Sequence, residues 1–108
     1  MEHDAARAEA GIGVMVALTG KLDVHAAADV RLVLAEAVDA GSGELVLDLA
    51  ALESVDATGL GVLVGAHRRA QRAGRTLVLS DVPDPVGRLL FRTRLDKVLE
   101  VRRTTKCA

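Results

Sequence analysis

Residues 45–65 read Leu-Val-Leu-Asp-Leu-Ala-Ala-Leu-Glu-Ser-Val-Asp-Ala-Thr-Gly-Leu-Gly-Val-Leu-Val-Gly. An apolar run, Leu45 to Leu49 with Asp48 near its end, suits a buried strand. About ten residues later a helix is predicted, roughly Thr58 to Ala73, with Asp56 or Ala57 at its entrance. Arg68, Arg69 and Arg72 fall in its last turns, where cations complement the helix dipole, and Gly74 stops it. A strand feeding a helix in this way is the unit from which parallel sheets are built.

The same alternation extends in both directions. Upstream, Ile12 to Leu18 is a short apolar run, and Gly20 to Asp23 form a turn whose aspartate is placed to cap the next helix. There Val30, Val33, Leu34, Ala37 and Val38 recur at helical spacing, and Gly41 marks the end. Downstream, Thr76 to Ser80 reads as a strand, and Asp84 and Pro85 open a helix through Thr93. Val98 to Val101 reads as a short last strand. The expectation is one small α/β domain, a four- to five-stranded mixed sheet covered by three to four helices. Residues 1–10 are expected to be an N-terminal tail or weak edge strand, 11–103 the domain, and 104–108 a C-terminal tail.

At 108 residues the chain suffices for one core but not for separate cofactor and substrate domains. Half of it is hydrophobic and only Phe91 is aromatic, so the core must be built from Leu, Val and Ala. No apolar run approaches a membrane span, and the start lacks the order of a signal peptide, which predicts a cytoplasmic protein. Cys107, the lone cysteine, supports neither a disulfide framework nor a metal cluster. The net charge of −1 conceals an asymmetry: residues 1–67 hold 3 basic and 11 acidic residues, residues 68–108 hold 11 and 4. Without stacking aromatics or a helix-turn-helix pattern, the basic half argues for charge complementarity within the domain or toward a protein, not for nucleic acid.

Thr58, near a helix start, reads by itself as a capping or surface threonine, and the arrangement around it presents its hydroxyl for modification. Interior glycine costs a helix about 1 kcal/mol relative to alanine, so Gly59, Gly61 and Gly65 need a compensating reason. Either they let the helix approach its neighbours closely, or they open a path to the Thr58 hydroxyl. A phosphate there would add about −1.5 to −2 charges. At a helix start it would be tolerated by the dipole and the free backbone N–H groups. Its effect would fall on a docked partner, through repulsion reinforced by Glu53 and Asp56. Asp23 and Asp48 are predicted at strand ends that a parallel topology brings to the same edge. Asp23 and Asp56 are each read as a helix cap or as a contact for a kinase; Asp48 is read as structural, binding loop amides.

The segment Asp56-Ala57-Thr58-Gly59-Leu60-Gly61 resembles the signature of the STAS family, the anti-sigma-factor antagonists, in which an apolar strand ending in Asp precedes Asp-Ser-Ser-Gly-Leu-Gly or a close variant. Leu18 to Asp23, Ala73 to Leu79 and Leu89 to Leu99 are similar to other family segments, so the resemblance spans about Gly11 to Val101. It implies phosphorylation at Thr58 and a partner surface of Asp23, Asp56, Ala57, Thr58, Gly59, Leu60 and Gly61. The implied partner is an anti-sigma factor that is also a serine/threonine protein kinase of the ATP-binding, histidine-kinase-like type. The unphosphorylated domain would displace the sigma factor, and phosphorylation would release the domain. Scaffold and transporter-accessory modules share the pattern without the regulatory phosphate, and a weak homodimer stays open. The chain departs from the pattern in carrying threonine for serine, Arg94 where glycine is common, and little sequence after Val101 for a closing helix.

An enzyme is not expected. Gly59, Gly61 and Gly65 miss the dinucleotide fingerprint because Val64 occupies its third glycine position, and Gly20-Lys21 lacks the following Ser or Thr of a phosphate loop. His3, His25 and His67 are scattered singly, which predicts no metal site. No cofactor is implied, and no set of nucleophile, base and oxyanion donors can be assembled.

Overall fold

The computed structural model describes residues 7–11 and 15–102, with side chains from Met15 onward. Ile12 to Val14 and the 104–108 tail lie outside the described residues. The order is β1 (Arg7–Gly11), β2 (Met15–Leu22), α1 (Ala27–Ala40), β3 (Glu44–Val55), α2 (Ala57–Arg72), β4 (Thr76–Ser80), α3 (Asp84–Arg92), a 3-10 turn (Leu95–Lys97) and β5 (Glu100–Arg102). The strands form a mixed five-stranded sheet in sequence order; β1 is antiparallel to β2 and the remaining pairs are parallel.

Alternate residues of three strands build the core. Val16, Leu18 and Leu22 of β2, Leu45, Leu47 and Leu49 of β3, and Leu77 and Leu79 of β4 are buried. They pack with Val30 and Leu34 of α1, Leu63 and Ala70 of α2, and Val86 and Leu90 of α3. Aromatic bulk is absent from this core, and small residues, Ala37 of α1 and Ala66 and Ala70 of α2, are buried on the inner faces of their helices.

β3 is the main departure from the predicted elements, continuing to Val55 where the alternation suggested an end at Leu49. Its register against β2 slips twice, between Ala17 and Thr19 and between Gly20 and Lys21, each time placing an extra residue in β3. Such bulges bend and twist a strand and break its period of two. The buried residues Leu49 and Leu52 accordingly stand three apart, with exposed Ala50 and Ala51 between them. β4 pairs with β3 only as far as Asp48↔Ser80, so beyond that point β2 and β3 run on together as a two-stranded overhang.

The helix ends also differ from expectation. Asp23 does not cap α1: its carboxylate accepts from the amides of His25 and Ala26 in a preceding turn, and Ala26 is the residue at the helix start. Gly41 follows α1 in an extended conformation, not a left-handed one. The α1 terminus is instead satisfied from a distance by Arg75, a buried residue at the head of β4. Its guanidinium donates to the carbonyls of Ala37 and Val38 at 2.9 and 3.0 Å, and to those of Ser42, Gly43 and Glu44 in the following loop. Gly74 does end α2 in the left-handed region, with its amide on Gln71 O and that of Arg75 on Ala70 O, a Schellman closure.

Among the described residues, two surface ion pairs join the acidic and basic halves of the sequence. Arg69 meets Asp39 at 2.8 Å and Arg102 meets Glu44 at 2.6 Å. The charge asymmetry is therefore partly spent inside the domain.

Candidate functional site

The overhang carries the candidate site. Leu22 and Val55 are its last paired residues, and the Asp56 amide donates to the Leu22 carbonyl oxygen at 3.3 Å, so the entrances to the Asp23 turn and to α2 are held side by side. Asp56 is the N-cap of α2, its carboxylate accepting from the Gly59 amide at 2.8 Å while its own carbonyl takes the Leu60 amide. A cap of this kind contributes roughly 1 kcal/mol. Ala57 and Thr58 follow as the first two helical residues, both exposed.

The glycines divide by role. A methyl group on Gly59 would meet the Leu22 carbonyl oxygen at less than contact distance and come within 2.6 Å of Val55 Cγ2. Gly59 therefore lets the first turn of α2 lie directly on the end of β2. Gly61 and Gly65 have nothing within 4 Å of such a methyl group. Close packing explains the first glycine, and open approach describes the other two.

Of the residues read as a partner surface, Asp56, Ala57, Thr58 and Gly61 are exposed and Asp23 is half-buried, all at the tip of the overhang. Gly59 and Leu60 are buried and act from beneath, positioning the others. Asp48 falls outside the group. It pairs with Ala17 well down the strand, where its carboxylate accepts from the Ala50 amide at 3.0 Å, holding the first bulge. The expectation that Asp48 and Asp23 share an edge is thus corrected, because the strand end lies at Val55. Glu53, also exposed, completes an acidic tip with Asp23 and Asp56.

Sequence reasoning missed Val24, which lies 62% exposed beside Asp23 and gives the acidic tip an apolar contact. A single valine between an aspartate and a histidine carries no periodic signal. Among the described residues, no group of three or more His, Cys, Asp or Glu is arranged to hold a metal ion. No helix there is long and apolar enough to cross a membrane. The tip offers an exposed threonine at a capped helix start, in a segment that also carries the carboxylates of Asp23, Glu53 and Asp56.

Comparisons with known proteins agree with this architecture. The STAS domain family model matches residues 5–108. A Paenibacillus polymyxa protein named anti-sigma F factor antagonist is 35% identical over 89 residues, which span 82% of this chain and 76% of that one. The crystal structure of an anti-sigma factor antagonist from Mycobacterium paratuberculosis superposes with a TM-score of 0.73 at 25% identity, covering 93% of this chain and 86% of that one. The Bacillus cell fate determinant SpoIIAA in its phosphorylated form superposes with a TM-score of 0.69 at 20% identity, covering 94% and 93%, and shares the fold.

Proposed function

This chain belongs to the STAS domain family, and from that premise we propose that it is an anti-sigma-factor antagonist switched by phosphorylation of Thr58. The observation that carries the reading is the exposed Thr58 hydroxyl on the first turn of α2, at the tip of an acidic overhang. The partner is an anti-sigma factor that is also a serine/threonine kinase. In the unmodified state the tip docks on it and frees the sigma factor. The kinase then transfers the γ-phosphoryl group of ATP to Thr58 Oγ1, releasing ADP, with the hydroxyl proton passing to a base in the kinase.

The phosphate acts on the partner and not on the fold. At the second helical position it lies near free backbone N–H groups and the positive end of the helix dipole, which favour an anion. Toward the partner, it adds about −1.5 to −2 charges to a surface already bearing Asp23, Glu53 and Asp56. Relatives named anti-sigma factor antagonists, and a structural neighbour known in a phosphorylated form, support this reading. The Thr58 methyl group, absent from serine, restricts χ1 and slows transfer relative to a Thr58→Ser variant.

The test is capture from lysate of the source organism by immobilised wild-type chain, Thr58→Ala and Thr58→Asp, with mass spectrometry of what is retained. An ATP-binding anti-sigma kinase retained by the first two and lost by Thr58→Asp is the expected result. Retention of the same scaffold or transporter components by all three would overturn the switch and favour a STAS module without regulatory phosphorylation.

A further inference from the structure

The sheet edge away from β1 carries a second surface that the switch does not use. A hollow of about 730 Å³ opens between α3 and β5, with apolar lining from Val82, Leu90, Phe91 and Val101. Phe91, the only aromatic residue of the chain, is 71% exposed there, and Val98 and Val101 are 48% and 43% exposed. A smaller hollow of about 400 Å³ adjoins it, sharing Phe91, Arg92 and Asp96.

Charge decides what fits. Arg88, Arg92 and Arg102 line the larger hollow, and Arg94 and Lys97 the smaller, against only two acids, Asp84 and Asp96. Arg102 is held by Glu44. Among the described residues, Arg88, Arg92, Arg94 and Lys97 form no ion pair. Arg88, Phe91 and Arg92 stand at i, i+3 and i+4 of α3, a spacing that puts an apolar ring and two cations on one helical face. An exposed aromatic ring among cations is the composition of an interface anchor, since Phe and Arg are both enriched where proteins meet.

We propose that the α3/β5 hollow docks an acidic peptide segment of a partner protein, one or more of whose large apolar side chains pack against Phe91 while its carboxylates meet Arg88, Arg92 and their neighbours. Nucleic acid fits less well. The lining offers aliphatic side chains with a single aromatic, where strand binding uses successive stacking platforms, and Asp84 and Asp96 would repel phosphates. The proposal is independent of Thr58, which sits above β2 and β3, whereas the hollow lies beyond β4 at the β5 edge.

The test is a titration of the full chain followed by amide NMR. The probes are a short synthetic peptide of Asp and Glu with Leu and Phe, its Asn/Gln counterpart, its counterpart with Ala for Leu and Phe, and a single-stranded oligonucleotide. The first peptide should saturate, perturbing the amides of Gly87 to Arg92 and Glu100 to Arg102, and bind at least about tenfold tighter than the other probes, a difference of about 1.4 kcal/mol. Phe91→Ser and Arg88→Glu should each weaken it about tenfold with spectra that remain dispersed, and Thr58→Asp should leave it unchanged. Failure to saturate, equal binding of the neutral peptide, tighter binding of the oligonucleotide, or perturbation centred on α2 would overturn the proposal. So would shifts reproduced by raising the chain concentration alone, which would mark a contact between copies.

Discussion

The carbonyl oxygen of Leu22 accepts the Asp56 amide and also stands where a Cβ on Gly59 would have to go. One backbone atom therefore sets both the entrance of α2 and the identity of its third residue. Gly59→Ala should destabilise the domain by about 1–3 kcal/mol, because a main-chain oxygen cannot swing aside as a side chain can. Gly61→Ala and Gly65→Ala, with open space around the new methyl, should each stabilise by about 0.5–1 kcal/mol through helix propensity. Urea unfolding of the three variants checks the contrast. Weaker partner capture by a more stable Gly61→Ala would separate access from packing.

Arg75 is the next point of sensitivity. Its buried guanidinium donates to the carbonyls of Ala37, Val38, Ser42, Gly43 and Glu44, tying the end of α1, the start of β3 and the start of β4 together. An ammonium cannot reproduce that planar fork. Arg75→Lys should cost about 2 kcal/mol or more, since hydrogen bonds to charged groups are worth about 1.5–3 kcal/mol each. At about 4–8 °C of Tm per kcal/mol for a domain of this size, calorimetry would register a fall of about 10 °C.

Arg94 occupies the left-handed region, at φ 63° and ψ 16°, between α3 and the 3-10 turn. A residue with a Cβ is strained there by about 1 kcal/mol. Arg94→Gly should therefore leave stability unchanged or raise it by up to about 1 kcal/mol, the relief being offset in part by unfolded-chain entropy. Thermal unfolding reads this directly, and a large loss would show that the arginine side chain stabilises the turn.

Reading the fold from sequence worked where period and punctuation agreed. β4 lies at Thr76 to Ser80 as predicted, α3 begins at Asp84 with Pro85 in its first turn, and α2 runs from Ala57 to Arg72 before the left-handed Gly74. The second half of β3 was illegible because two bulges turn its period of two into Leu49, Leu52 and Val55. Arg75 was missed for a different reason. An arginine ahead of a strand looks like surface, and only tertiary structure reveals that the carbonyls it serves belong to another helix.

The Asp39 carboxyl titrates below its ordinary value, chiefly because of its hydrogen bond from Arg69, against an opposing desolvation and with a smaller contribution from the charge on that guanidinium. A depressed carboxylate stabilises the fold above its unfolded-state pKa and loses that contribution as pH falls through the folded value. Comparing Tm with Asp39→Asn should thus give a small wild-type advantage at neutral pH that disappears in acid. Molar salt should flatten the curve, since the pair lies at the surface. An advantage that persisted below the carboxylate range would mean that the asparagine disturbs α1 by some other route.

The two-stranded overhang runs five residues of β2 past the end of β4, roughly 16 Å at the usual strand rise. Its exposed β3 positions, Ala50, Ala51, Glu53 and Ser54, and the adjoining Ala57 and Thr58 of α2 are outside the core. On the proposed function, substitutions there are felt by a binding partner before they are felt by the fold. A cell with several domains of this kind can therefore insulate one circuit from another by rewriting a few residues of the tip. The leucine core beneath needs no revision, and crosstalk becomes a matter of local vocabulary.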